Sequence, residues 1–250
     1  MKYLLLGIVQ GLTEFLPVSS SGHLVLFQSF LNVPHSIAFD VIVHLATGLA
    51  VALYFWRDIL ALFTTQRKMM WLLIVATIPT ALMGFFFKDY FEAMFSSTAA
   101  VGFFLLVTAA VILLAEWIGR GRRGLGEMNF IDAILIGLAQ GCAIAPGLSR
   151  SGTTISASLG RNFERGFAAR FSFLLSVPAI LGAGILQSKA IFKAGTIGIG
   201  FVPLVFGFLA ALASGLLAIK IFMTIIQKTS IRVFAYYCLV IGAVVLLFLR

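Results

Sequence analysis

The stretch Leu16-Pro-Val-Ser-Ser-Ser-Gly22 interrupts a segment that is otherwise mostly apolar from residue 3 to residue 31. Proline removes a backbone donor and ends a helix, whereas a serine can cap the start of the next helix. The halves on either side are too short to cross a hydrocarbon core, which takes about 20 helical residues. We therefore predict a helical hairpin over residues 3–31 that enters and leaves the membrane on the same side.

A second interruption, Ala145-Pro-Gly-Leu-Ser-Arg-Ser-Gly152, divides the segment 130–160 in the same way. We predict that the single membrane domain 1–250 consists of two repeats, 1–118 and 130–250, each with one hairpin and three full spans. This arrangement starts the second repeat on the opposite face, as in inverted repeats. A constant offset of 130 residues relates Gly7, Gln10, Gly11, Ser19, Ser21 and Gly22 to Gly137, Gln140, Gly141, Ser149, Ser151 and Gly152.

The composition requires a membrane. Of the 250 residues, 61% are hydrophobic and only 11% are charged, whereas a soluble domain is about half apolar and a quarter charged. The apolar segments are long and do not alternate, which favours helices over barrel strands. We predict an all-α polytopic membrane protein with six full transmembrane helices and two re-entrant helical hairpins. The predicted full spans are 37–56, 69–88, 98–118, 166–186, 198–223 and 231–249.

The net charge of +9 is distributed in short clusters between the apolar segments and not in one stripe, so we predict no nucleic-acid binding. One set of predicted loops has twelve basic residues and the other has five, with Arg150 at a hairpin tip. The positive-inside rule places the larger set in the cytoplasm and both termini outside. The larger set is Arg57, Arg67, Lys68, Arg120, Arg122, Arg123, Arg161, Arg165, Arg170, Lys220, Lys228 and Arg232; the smaller is Lys2, Lys88, Lys189, Lys193 and Arg250.

Ionisable residues at the predicted membrane depth indicate a functional site, because a central charge costs about 2.5–3.5 kcal/mol on insertion scales. Glu14 follows Gln10 by one helical turn and His23 follows Ser20 by three residues, so each pair shares a helix face. In the second hairpin, a serine–glycine turn begins a helix, and Arg150 adds a planar fork; both suit a phosphate. The remaining candidates for phosphate binding are Gln10, Ser19, Ser21, Ser149, Ser151, Gly152, Thr153 and Thr154.

Structural roles compete with these interpretations. Polar residues in the hairpins could cap helices or join two helices, and Glu14 could be a structural partner of Arg150. The Thr154 hydroxyl could bind its own helix backbone, and His23 could be a packing histidine with its hydrogen bonds satisfied. Asp40 and His44 lie one turn apart at the start of the next span, where they either support the site or mark the membrane interface. The sequence leaves these alternatives open.

Two strings carry a resemblance to a known family. Gly11-Leu-Thr-Glu-Phe-Leu-Pro-Val-Ser-Ser-Ser-Gly-His23 and Pro146-Gly-Leu-Ser-Arg-Ser-Gly-Thr-Thr154 resemble the two signatures of the undecaprenyl-diphosphate phosphatases, also called the bacitracin-resistance family. Residues 55–58, 78–79, 87–89 and 172–184 are also similar, so the resemblance covers nearly the whole chain.

This resemblance implies release of phosphate from undecaprenyl diphosphate, which recycles the lipid carrier for cell-wall polymers and gives bacitracin resistance. It implies an inner-membrane protein with a site reached from the outer face, and a divalent cation, Mg²⁺ or Ca²⁺, bound by Glu14. Gln10 stands where many members have Glu, so it is at most a second ligand. By the family pattern, Glu14, Ser20 and His23 are catalytic, while Arg150 serves catalysis and phosphate binding together with Ser149 and Thr154.

Several mechanisms fit these residues. Water or Ser20 attacks the terminal phosphorus, Glu14 orients the nucleophile or binds metal, and His23 moves the proton. A transporter or flippase of a phosphorylated polyprenyl lipid is the alternative function, although binding alone does not need Glu14, Ser20 and His23 together. The expected partners are the lipid diphosphate and membrane lipids. The isoprenoid length and the oligomeric state, a homo-oligomer included, stay open.

Overall fold

The computed structural model describes residues 1–95, 97–119, 121–194 and 199–248, with side chains for all of these except residues 188–194. Within these ranges the named elements are twelve α-helices and one 3-10 turn, Leu125–Glu127, so the prediction of an all-helical fold is confirmed. The helices are α1 Lys2–Phe15, α2 Ser20–Phe30, α3 Ile37–Tyr54, α4 Trp56–Phe63, α5 Arg67–Phe86, α6 Lys88–Met94, α7 Thr98–Ile118, α8 Phe130–Cys142, α9 Arg150–Gly160, α10 Arg165–Ala194, α11 Phe201–Lys228 and α12 Arg232–Phe248.

Five of the helices in the described ranges, α3, α5, α7, α10 and α11, are long and apolar enough to cross a membrane. They coincide with five of the six predicted spans. The sixth predicted span corresponds to α12, which has 17 residues and is shorter than these five. The chain is therefore a multi-pass membrane protein, while the number of full spans and the re-entrant course of the hairpins stay predictions.

The helices do not stop where the apolar windows stop. α10 reaches residue 194 where the prediction ends at 186, and α11 reaches 228 where it ends at 223. The short helices α4 and α6 were not predicted, because seven or eight residues are too few to form a membrane-length window. Arg120 and Arg250, the side chains of Lys189 and Lys193, and the predicted span ends at 198 and 249 lie outside the described residues.

Both predicted interruptions are present, and their capping is alike. The chain leaves helical geometry between α1 and α2 and again between α8 and α9, and the two helices of each pair pack together. Ser19 caps α2 by accepting a hydrogen bond from the Gly22 amide at 3.3 Å. Ser149 caps α9 by accepting from the Gly152 amide at 3.0 Å. Serine thus has the predicted role of starting the second half of each hairpin.

The two hairpins pack mainly against the opposite half of the chain. α1 lies on α11 and α8 lies on α5, while α3 packs with α10 and α7 with α12. Glycines allow the two hairpin helices to approach their partners closely. A Cβ atom at Gly7 would lie 2.3 Å from the Gly207 carbonyl oxygen, and one at the matching Gly137 would lie 2.1 Å from that of Ala76. In this exchanged packing, the first helix of each hairpin lies on a helix from the other half of the chain, as expected of two matching repeats. The inverted orientation of the repeats stays a prediction.

Arginines from the larger basic set also hold helix ends together. The fully buried Asp132 at the start of α8 binds Arg123 at 2.7 Å and Arg161 at 2.7 Å. Arg165 makes two hydrogen bonds to Glu116, at 2.6 and 2.7 Å. Removing one partner of such a buried pair would leave an uncompensated charge. These arginines therefore have structural partners in addition to their predicted influence on topology.

Candidate active site

The tips of the two hairpins contact each other. The Ser151 hydroxyl donates to the Leu16 carbonyl oxygen at 3.1 Å. Gly152 lies against Pro17, since a Cβ atom there would come within 3.4 Å of the proline Cβ. The contact joins two signature segments that are far apart in the sequence, as the predicted site requires.

Each tip is held by a helix from the opposite half. The Thr108 hydroxyl on α7 lies 3.1 Å from the Gly147 carbonyl oxygen and accepts from the Ser149 amide at 2.9 Å. The Cys238 thiol on α12 contacts the Pro17 carbonyl oxygen at 3.6 Å. The offset of 130 residues seen in the hairpins also relates Thr108 to Cys238 and Pro17 to Gly147. Nothing in the sequence distinguishes Thr108 or Cys238 as a contact of the site, because both lie within otherwise apolar helices.

Glu14 is the centre of the site, and only 4% of its side chain is exposed. One carboxylate oxygen accepts a hydrogen bond from the Arg150 guanidinium, and the other accepts one from the Ser20 hydroxyl. Gln10 donates to the same oxygen as Ser20, at 2.9 Å. These contacts compensate a carboxylate that would otherwise be costly to bury. Four of the predicted site residues are therefore brought together, and Glu14 is indeed a partner of Arg150.

His44 contacts the Glu14 carboxylate, whereas Asp40 contacts His44 but not Glu14. His44 Nε2 is 3.7 Å from Glu14 Oε2, and its Nδ1 is 2.7 Å from the Asp40 carbonyl oxygen. The Asp40 carboxylate is turned away and binds Gln28 at 2.8 Å and His35 at 3.0 Å. Of the two residues, His44 therefore contacts the site directly. Asp40 supports His44 only through its backbone carbonyl.

His23 has partners that the sequence did not predict. Its Nδ1 lies 2.8 Å from the Ser19 carbonyl oxygen and its Nε2 lies 2.7 Å from the Tyr237 hydroxyl. The two rings are stacked, with centroids 5.6 Å apart and an angle of 13° between planes. Both ring nitrogens are therefore occupied by groups other than Glu14 and Ser20. No local pattern points to Tyr237, which is 214 residues away from His23.

The hydroxyls at the start of α9 mostly bind the backbone. Thr153 donates to the Ser149 carbonyl at 2.7 Å, and Thr154 lies 2.8 Å from the Arg150 carbonyl oxygen. The Thr154 hydroxyl also lies 2.5 Å from that of Ser172 on α10. Such bonds favour the structural interpretation of the two threonines, because each hydroxyl is already satisfied by the backbone of its own helix.

The remaining serine pairs repeat the same geometry in both hairpins. The hydroxyl oxygens of Ser19 and Ser21 are 3.3 Å apart, and those of Ser149 and Ser151 are also 3.3 Å apart. Hydroxyls both donate and accept, so these pairs can exchange one partner for a phosphate oxygen.

Two buried polar atoms at the site have no hydrogen-bond partner among the described residues, namely Gln10 Oε1 and Arg150 Nη1. Leaving such an atom unsatisfied costs about 1–3 kcal/mol, so each is a position where a ligand would be stabilising. Arg150 Nη1 suits a phosphate oxygen. The oxygens of Gln10 and Glu14 suit a hard cation that takes its other ligands from phosphate, since Mg²⁺ commonly binds through one or two carboxylates and substrate phosphates. No group of three His, Cys, Asp or Glu residues with metal-binding geometry occurs in the described ranges.

Two cavities lie away from this site. One of about 580 Å³ is lined by Gly119, Arg165 and Gln227, among others, and one of about 320 Å³ is lined by Lys68 and Trp71 with their neighbours. Neither includes a residue of the Glu14 cluster. The two hairpin tips close directly on each other, so the site is marked by its buried charges and not by a cavity.

Comparison with known protein families gives a match over residues 3–244 to the family described as bacitracin resistance protein BacA. A curated relative from Halothermothrix orenii is 43% identical over 98% of this chain and 96% of its own length. One from Carboxydothermus hydrogenoformans is 45% identical over 97% and 95%, and one from Methanosphaera stadtmanae is 40% identical over 99% and 97%. All three bear the name undecaprenyl-diphosphatase.

Proposed function

Since the chain belongs to the bacitracin resistance protein BacA family, we propose that it is an enzyme that hydrolyses undecaprenyl diphosphate to undecaprenyl phosphate and inorganic phosphate. This reaction returns a lipid carrier to cell-wall polymer synthesis. The observation that carries the proposal is the contact between hairpin tips, which places a buried carboxylate between a serine hydroxyl and a guanidinium. The transporter alternative is not favoured, because the relatives are named as phosphatases and binding alone does not need a carboxylate on a serine hydroxyl.

The diphosphate binds at the junction of the tips. Arg150 can donate from its unpaired Nη1 to a phosphate oxygen while Nη2 keeps its contact with Glu14. The first amides of α9 and the positive end of its helix dipole add to this attraction. The phosphate charge is thus met by groups that are already in place, which lowers the barrier to phosphoryl transfer.

Ser20 is the nucleophile in this proposal. Its hydroxyl already donates to Glu14, so the proton that it loses has an acceptor in contact. Ser20 Oγ forms a bond to the terminal phosphorus as the anhydride P–O bond breaks, and undecaprenyl phosphate leaves. Water then hydrolyses the phosphoserine and releases inorganic phosphate. Direct attack by water on the diphosphate is the competing route, and it passes through no phosphoserine.

A magnesium or calcium ion would be held by Glu14, with Gln10 Oε1 as a neutral second oxygen and the diphosphate supplying further ligands. When bound, such an ion supplies positive charge that neutralises the diphosphate. Metal binding would give the unpaired Gln10 Oε1 atom a partner. The amide nitrogen of Gln10 would continue to donate its hydrogen bond to the Glu14 carboxylate.

We also propose that the protein lies in the inner membrane with both hairpins re-entrant and the site reached from the outer face. The support is the excess of twelve basic residues over five in alternate loops. A substrate phosphate then reaches Glu14 from the side on which α1 begins.

This orientation predicts the labelling of single cysteines by an impermeant maleimide in intact cells. Glu92→Cys in α6 should be labelled, and Arg122→Cys should be labelled only after the cells are permeabilised, because both positions are exposed but lie in oppositely oriented loops. Cys142 is the exposed native cysteine and should first be replaced by alanine, whereas Cys238 is buried. Labelling of position 122 but not of position 92 in intact cells would reject the inverted topology.

Arg150→Lys should lower kcat/KM by about 10- to 100-fold, because the lysine keeps the charge but loses one charge-assisted hydrogen bond of about 1.5–3 kcal/mol. The measurement is phosphate release from undecaprenyl diphosphate by purified protein in detergent. Arg67→Lys is the matched control, since Arg67 is exposed; Arg165 is unsuitable because it is paired with Glu116. Equal activity in wild type and Arg150→Lys would remove Arg150 from the site.

A further inference from the structure

The contacts of His23 determine which of its ring nitrogens carries the proton. The Ser19 carbonyl can only accept a hydrogen bond, so Nδ1, at 2.8 Å from it, must be protonated. In the neutral ring, Nε2 then has only a lone pair. The Tyr237 hydroxyl, at 2.7 Å, must donate to that lone pair. The Ser19 carbonyl therefore confines the neutral His23 ring to one tautomer, and the Tyr237 hydroxyl satisfies the nitrogen that remains.

The same contacts also fix the orientation of the ring. His23 is 4% exposed, and its ring is stacked on that of Tyr237 with only 13° between the planes. The next residue along α12, Cys238, contacts the Pro17 carbonyl oxygen at the hairpin tip. Two successive residues of α12 thus contact the first hairpin, Cys238 at its interruption and Tyr237 on α2. Rotation of the His23 ring would break the bond to Tyr237.

We propose that Tyr237 is a positioning residue for the reaction, which acts through His23 by fixing its ring orientation and by holding Nε2 in a hydrogen bond. The proposal rests on the proposed function, together with the expectation from the sequence that His23 moves a proton in that reaction. A phenol hydroxyl both donates and accepts. Because Nδ1 already carries a proton, His23 can gain one only at Nε2, where the phenol hands over its own proton and takes another from its opposite side. The phenol donates to Nε2 before this transfer and accepts from the Nε2 proton after it, so the ring keeps its partner throughout.

Tyr237→Phe tests the hydroxyl alone, because phenylalanine keeps the stacked ring. We expect kcat to fall by roughly 10- to 100-fold, the size seen when the hydrogen-bond partner that orients a metal-ligating histidine is removed, with little change in KM. Tyr236→Phe is the matched control, since Tyr236 is the preceding residue on α12 and is 56% exposed. Its activity should equal that of wild type, and thermal unfolding of both variants checks that the fold is kept.

Nitrogen-15 spectra of histidine-labelled protein give a readout that does not depend on activity. The chain has three histidines, and the signals of His23 are those lost in His23→Ala. Wild type should show a protonated Nδ1 and an unprotonated, hydrogen-bonded Nε2 at neutral pH. Tyr237→Phe should keep the protonated Nδ1 but show an Nε2 that has lost its hydrogen bond, and Tyr236→Phe should show the wild-type pattern.

The two readouts separate the outcomes. An unchanged nitrogen-15 pattern in Tyr237→Phe would overturn the proposal, as would a changed pattern with wild-type kcat. A loss of kcat together with loss of the hydrogen bond at Nε2 supports it. If wild-type protein releases no phosphate, the proposed function fails, and the spectra alone then decide whether Tyr237 positions His23.

Discussion

Glu14→Gln should lower kcat by about 10²- to 10⁴-fold, the contribution of a general base, while lipid diphosphate still binds. Glutamine has nearly the same shape as glutamate but cannot take the proton of the Ser20 hydroxyl. The substitution also frees the Arg150 guanidinium from its ion pair with Glu14. We therefore expect KM for undecaprenyl diphosphate to stay the same or fall. The measurement is steady-state phosphate release by the purified variant in detergent, where no transport across a membrane can occur.

The control for this change is Glu92→Gln, because Glu92 is 64% exposed and forms only a surface pair with Lys88 at 3.5 Å. Surface pairs of this kind contribute about 0–1 kcal/mol, so activity should be unchanged. A Glu14→Gln variant with normal kcat and a raised KM would indicate that Glu14 contributes uniform binding and no stabilisation of the transition state.

Ser20→Ala should reduce turnover by about 10³-fold or more, since removal of a nucleophile eliminates the covalent route. In wild type, acid quenching during turnover should trap a phosphorylated Ser20 peptide that mass spectrometry detects. The variant should yield no such peptide. Binding of the lipid diphosphate should persist, because Arg150 and the start of α9 are unchanged.

Ser29→Ala provides the comparison on the same helix, as Ser29 is exposed near the end of α2. It should retain both turnover and the phosphorylated Ser20 peptide. If Ser20→Ala keeps activity within about tenfold of wild type, water attacks the diphosphate directly, and Glu14 then orients that water and does not activate a serine.

The hairpins could be predicted from the sequence because their causes are local. Pro17 ends one helix and Ser19 caps the next, and the second hairpin repeats this chemistry at a fixed offset. The cluster around Glu14 was anticipated because Gln10 lies one turn before it, and because opposite charges at membrane depth pair. Local rules of this kind do not depend on how the helices are arranged.

The partners of His23 and His44 depend on that arrangement and could not be predicted. His44 shares a helix face with Asp40, but only the packing of α3 against α1 turns His44 toward Glu14 and leaves Asp40 outside. The Tyr237 hydroxyl reaches His23 because α12 lies beside the first hairpin. Spacing along the sequence is no guide to such contacts.

The ends of the helices differ from the predicted ends for another reason. Hydrophobic windows locate the part of a helix that matches the hydrocarbon core, but backbone hydrogen bonding continues into polar flanks. α11 therefore runs on past Lys220 to Lys228.

The exchanged packing has a consequence for how the protein is made. α1 leaves the ribosome long before the helix on which it lies, α11, which begins only at Phe201. The Glu14 carboxylate lacks Arg150 until 136 further residues have been added, and the Pro17 carbonyl lacks Cys238 until 221 have been added. The nascent first hairpin therefore has an unpaired Glu14 carboxylate and an unpaired Pro17 carbonyl until helices that are translated much later have packed against it. Assembly of the site is thus a late event in biogenesis, and neither half of the chain can complete it alone.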